Sequence, residues 1–139
     1  MNFRNNFARL AGSLLEQGKK DSALKVLDKC VEVMPDKTVP YNIFVLRVAE
    51  MYYRAGAPEK ANAITKRLAD LYEGDLNYYF TLKGKYEKSV ERDSQQAMAI
   101  MNELLRIANE AGQKELSADL QERLKKLQAS GKSSPVFQN

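Results

Sequence analysis

The 139-residue chain is expected to be all-α, a stack of short helices built on an internal repeat. Three observations lead there. Apolar residues recur at three- and four-residue spacings along almost the whole length, the period of one helix face. Gly and Pro punctuate that pattern every 12 to 18 residues or so. The segment LLEQGKKDSALKVL, Leu14 to Leu27, is echoed by YYRAGAPEKANAIT, Tyr52 to Thr65, with Gly18 matching Gly56 and Ala23 matching Ala61 at a separation of 38 residues.

Taken in order, the pattern predicts seven helices. The first covers about Phe3 to Gln17, with Phe3, Phe7, Leu10, Ala11 and Leu14 on one face, and Gly18 ends it. Asp21 is placed to cap a second helix running through Met34. Pro35 to Pro40 then form a loop, and a third helix spans about Tyr41 to Arg54 and stops at Gly56. Pro58 suits the first turn of a fourth helix, which reaches about Tyr72. Gly74 and Asp75 predict a break before a fifth, to about Val90. Asp93 and Gln96 have capping-box spacing and predict the start of a sixth, ending near Gly112. A seventh follows from Glu115 to Ala129, its stripe of Leu116, Leu120, Leu124 and Leu127 set against outward Asp119, Glu122, Lys125 and Lys126. The tail from Ser130 to Asn139 contains Gly, Ser and Pro and has little reason to order.

The repeated residue types have physical reasons. Gly18 and Gly56 allow the positive φ of a sharp turn between helices. Ala23 and Ala61 are small where two helices approach closely, while Leu10, Leu14, Leu27, Val48, Tyr52, Ile64 and Leu68 fill the space around that contact. A weaker third copy places Ala97 36 residues after Ala61. A period just above 34 residues, each unit a helix–turn–helix, points to a stacked solenoid.

Composition narrows the function. The chain has no His, which removes the commonest general base and metal ligand. Its single Cys30 lies on an apolar helix face with Leu24, Leu27 and Val31, the place of a small buried residue. Glu87 with Glu91, or Glu50 alone, could suggest carboxylate chemistry, but charges four apart on a helix form a solvated face. No Gly-rich phosphate loop or metal-ligand cluster accompanies them, so no enzyme activity, cofactor or metal is expected. The net charge of +4 is spread along the chain, with no basic block for nucleic acid. The longest apolar run, Ile43 to Leu46, is too short to span a bilayer, and Met1 to Arg9 lacks a secretory signal's apolar stretch.

Phe7, Leu10, Ala11, Leu14, Gly18, Ala23, Leu27, Cys30 and Pro35 follow the large, large, small, large, turn, small, large, small and Pro positions of one repeat. Val48, Ala49, Tyr52, Gly56 and Ala61 follow a second that lacks the closing Pro, and Ala97 and Leu104 a third. On these residues the chain resembles the tetratricopeptide repeat (TPR) family. The resemblance implies a TPR-like right-handed helical solenoid of about three antiparallel helix pairs plus a C-terminal capping helix. The domain would cover 1–129, with repeats at about 3–35, 40–73 and 75–111, a cap at 114–129, and a flexible tail at 130–139.

In that family the first helices line a concave groove for a peptide or a partner helix. Here the groove positions are Asn5, Arg9, Gly12 and Glu16, then Arg47, Glu50, Tyr53 and Arg54, then Tyr79, Lys83 and Tyr86. The partner-binding set is Arg47, Glu50, Tyr53, Arg54, Tyr79 and Lys83, since Tyr and Arg anchor interfaces efficiently. The Lys and Asn clamp that captures acidic chaperone tails is missing, because Ala8 and Gly12 stand at its first-repeat positions.

The strings KKDSALKVLDKCVEVMP, VPYN, AEMYYRAGAPEKAN and YEGDLNYYF resemble, more narrowly, the soluble C-terminal region of large bacterial multi-spanning membrane proteins similar to protein O-mannosyltransferases. That resemblance implies an excised, non-catalytic interaction module on the periplasmic face of the inner membrane, its partner possibly the rest of the parent protein. Without it, a cytoplasmic setting is expected. A self-associating structural cap and an RNA-binding helical repeat are the alternative readings.

Overall fold

The computed structural model describes residues 3–33, 43–82 and 84–131. Among these the chain is all-α, with seven helices and no strand: α1 Phe3–Glu16, α2 Lys20–Val33, α3 Ile43–Arg54, α4 Pro58–Thr81, α5 Lys85–Ser89, α6 Glu91–Glu110 and α7 Lys114–Gly131. No helix among the described residues is long and apolar enough to cross a membrane. The chain forms two compact units, Met1–Leu68 and Ala69–Asn139, the division falling inside α4.

The turns that close α1 and α3 have one geometry. Gly18 takes φ 76° and Gly56 φ 83°. Each Gly N–H bonds a carbonyl three residues back (Gly18 to Leu15, 3.0 Å; Gly56 to Tyr53, 3.2 Å). The next residue's N–H reaches five back (Lys19 to Leu14, 2.8 Å; Ala57 to Tyr52, 2.9 Å). This Schellman pattern satisfies carbonyls that a helix C-terminus would otherwise leave bare. The same pair of bonds recurs at Gly112, from Gly112 to Asn109 and from Gln113 to Ala108, both 3.0 Å. The repeat reading had given Gly112 no counterpart.

Five residues beyond each of these glycines stands a small buried residue: Ala23 and Ala61, both 0% exposed, and Ser117. Ser117 keeps the small size but buries a hydroxyl that has no hydrogen-bond partner. Around Ala23 and Ala61, in the first unit, lie Leu27, Cys30, Val45, Val48, Tyr52 and Ile64. In the second unit Leu116, Leu120, Leu124 and Leu127 of α7 are buried as a stripe. Met101, Leu104, Ile107 and Ala108 supply the buried face of α6, which packs against α7.

Several expectations are corrected. No helix break occurs at Gly74 and Asp75, since α4 continues through both to Thr81. A helical Gly costs about 1 kcal/mol relative to Ala. Leu68, Ala69 and Leu76, all fully buried, carry the apolar period straight across it. The chain instead turns at Gly84, φ 69°, and the expected fifth helix shrinks to Lys85–Ser89. Asp93 does not cap α6: the helix begins at Glu91 behind Val90, which makes no side-chain cap bond, and Asp93 sits in the first turn. There its charge favours the positive helix end without closing a box. Asp21 likewise falls within the first turn of α2.

Leu10 is not core but 51% exposed. The face that α1 buries is Arg4, Ala8 and Ala11, with Phe7 and Leu14 only half-buried at its margin. The long stem of Arg4 substitutes for an apolar residue there. At the far end, α7 continues through Ser130 and Gly131, which the tail had been expected to include. The expected loop from Pro35 to Pro40, the start of the third helix at Tyr41, and the tail from 132 lie outside the described residues.

Candidate partner-binding site

In the first unit α1 and α3 lie against each other, and Gly12 marks their close approach. A Cβ built on Gly12 would stand 3.5 Å from Met51 Sδ, so the helices meet there at van der Waals distance. The α3 positions Arg47, Glu50 and Arg54 recur at three and four residues and therefore share one stripe. Arg47 and Arg54 are exposed and Glu50 is half-buried. On α1, Arg9 and Glu16 are exposed, and Asn5 and Gly12 are half-buried. Arg54 rests one guanidinium nitrogen 3.7 Å from Met51 Sδ.

Tyr53 belongs to the flank between α3 and α4. Its hydroxyl donates to Asn62 Oδ1 at 2.5 Å and lies 3.3 Å from Thr65 Oγ1. Thr65 in turn donates to the Ala61 carbonyl at 2.8 Å, locking that turn of α4. Burial pushes the Tyr53 phenol up, and the contact with Thr65 offsets part of that. The ring is thus held in place by α4, a half-buried wall beside the exposed arginines of α3.

The remaining site positions belong to the second unit. Tyr79 is half-buried on α4, its ring 6.1 Å from that of Tyr78 and tilted by 58°. Partial burial, then the negative charges of Asp75 and Asp93, raise its hydroxyl above the usual phenol value. Lys83 lies outside the described residues. Tyr86 is exposed on α5 with the Lys85 ammonium 5.4 Å from its ring centre.

Three further features were not read from the sequence. Asp28 on α2 accepts from the buried Tyr52 hydroxyl at 2.7 Å and from Lys60 Nζ at 2.9 and 3.0 Å, joining α2, α3 and α4. Burial works against the Asp28 charge, but the hydrogen bonds from Lys60 and Tyr52 and the Lys60 charge hold its carboxyl below the ordinary value. Because the folded value is depressed, this contribution is complete above the unfolded value near pH ~3.9 and disappears as pH falls through the folded one. Asp28→Asn is therefore expected to cost about 0.5–1 kcal/mol at pH 7, both partners being half-exposed. Urea midpoints of variant and wild type should converge below about pH 3.

The second feature is a polar groove of about 440 Å³ between α4 and α7. Arg123 spans it, donating to Asp70 at 2.7 Å and Glu73 at 3.3 Å and pairing with Asp119 at 3.0 Å. Glu122 pairs with Lys126 at 3.5 Å. Its carboxylates are thus already engaged, which makes the groove a strap between helices. The third is the buried Cys30, whose thiol burial pushes up, partly opposed by the charge of Arg4, so it is a poor nucleophile. Among the described residues no group of three or more His, Cys, Asp or Glu is placed to hold a metal ion.

No family model, curated protein or solved structure matches the chain.

Proposed function

We propose that this chain is a TPR-like helical-repeat module that binds a polypeptide across the exposed face of α1 and α3. The observation that carries the reading is the repeated unit itself. Gly18 and Gly56, with the same positive φ and hydrogen bonds, are each followed five residues later by a fully buried Ala. That unit stacks first helices side by side, and here those helices offer Arg9, Glu16, Arg47, Glu50 and Arg54 around the wall of Tyr53. Alternating charge on a rigid helical surface suits a peptide with charges of both signs. A polyphosphate would call for an unbroken basic track. On the narrower resemblance, that polypeptide is another part of a membrane protein similar to protein O-mannosyltransferases.

A peptide library displayed on phage and selected against the immobilised chain supplies the probe. For the selected peptide, Arg47→Ala with Arg54→Ala is expected to weaken binding at least about ten-fold, as loss of interface arginines does, with circular dichroism unchanged. Equal affinity for variant and wild type would remove the α3 stripe from the site. Salt-sensitive binding to random RNA in place of any peptide would favour the nucleic-acid reading.

A further inference from the structure

We infer that the outer face of the α1–α2 pair, the face turned away from α3, is a contact surface for a second copy of this chain. Two of the four exposed large apolar residues, Leu10 at 51% and Val33 at 48%, are on these helices. Helical geometry gives them a common side. Leu10 is about 160° around α1 from Gly12 at 100° per residue, and Gly12 is the residue that meets Met51 of α3. Val26 is likewise about 160° around α2 from Asp28, and Asp28 bonds Tyr52 of α3. Val33 follows Val26 by seven residues and shares its stripe. Since α1 and α2 run antiparallel through the short turn at Gly18, Leu10 stands level with Val26, and half-buried Phe7 and Leu14 border them.

Charge identifies the occupant. The exposed residues nearest Leu10 on α1 are Asn6, Ser13 and Gln17, and Ser22 flanks Val26 on α2, all uncharged. Lys29 at the margin has Glu32 at 3.8 Å. In a chain with 29% charged residues this face carries almost none. A two-fold contact sets every residue of a face against the same face of its partner, so any net charge there meets its like. A neutral apolar face is its own complement, whereas a charged partner gains nothing from it. Two exposed large side chains make a small interface, which fits a reversible dimer rather than an obligate one.

Sedimentation equilibrium of the full chain, from low-micromolar to millimolar concentration, tests this. The mass is expected to rise from 15.8 kDa towards twice that value. Leu10→Lys and Val33→Lys should each weaken the dimer at least about ten-fold, the equivalent of one unfavourable contact of ordinary size, with circular dichroism unchanged. Leu10→Glu should do the same alone. An equimolar mixture of Leu10→Lys and Leu10→Glu should associate at low salt and separate at high salt. A wild-type chain that stays at 15.8 kDa throughout, or a dimer that neither lysine variant weakens, overturns the inference.

Discussion

Ending the chain at Gly112 is expected to abolish cooperative folding of the second unit. The deletion removes Leu116, Leu120, Leu124 and Leu127, none more than 5% exposed. Burying a Leu side chain contributes about 1.5–3 kcal/mol, so the stripe supplies roughly 6–12 kcal/mol of apolar stabilisation as an upper bound. That is comparable with the entire stability of a typical domain, about 5–15 kcal/mol. The deletion also strips the cover from Met101, Leu104, Ile107 and Ala108 on α6, and it removes Arg123, which ties α7 to Asp70 and Glu73. Circular dichroism should show a loss of helix larger than the missing 18 residues of α7 account for. The fragment should also bind a hydrophobic dye and aggregate on a sizing column. A soluble 1–112 fragment with an undiminished unfolding transition would show that α7 does not hold the unit together.

Local chemistry explains which features could be read in advance. Gly18 and Gly56 were legible because only Gly enters the left-handed region cheaply, so a Gly between two amphipathic runs marks a turn. Gly74 carried the same letter and misled, since the periodicity of Leu68, Ala69 and Leu76 outweighed its small cost in a helix. Gly112 was recognised as a stop, but its kinship with Gly18 and Gly56 was hidden. The residue that follows it by five is Ser117, and the spacing from Gly56 is not the 38 residues of the first interval. Leu10 went astray because periodicity shows that a helix has an apolar side without saying how wide an arc a neighbour covers. The structure covers Arg4, Ala8 and Ala11 and leaves Leu10 outside.

The candidate site was legible only as a stripe. Spacing alone puts Arg47, Glu50 and Arg54 on one side of α3. That the Tyr53 hydroxyl is committed to Asn62, that Asp28 finds Lys60 32 residues away, and that Arg123 finds Asp70 at a distance of 53, all depend on tertiary packing. A lone charged residue on a solvated-looking face carries no local mark of such a partner.

The central claim is that one helix–turn–helix unit, a Schellman Gly followed by a small contact residue, is used repeatedly. Substituting the contact residue tests it most directly. Ala23 and Ala61 are fully buried, and neither site has room for three further carbon atoms without displacing neighbours. Ala23→Leu and Ala61→Leu are each expected to lower stability by about 1–3 kcal/mol, the usual cost of overpacking a filled core. Ala63→Leu, two residues on and exposed, should change it by no more than about 0.5 kcal/mol. Ser117→Ala should leave stability unchanged or raise it, because it removes a buried hydroxyl without a partner. The measurement is the urea midpoint of the four variants beside wild type. Lower midpoints for both leucine variants at the equivalent positions, with Ala63→Leu close to wild type, are the expected result. Wild-type midpoints for both Ala23→Leu and Ala61→Leu would contradict it.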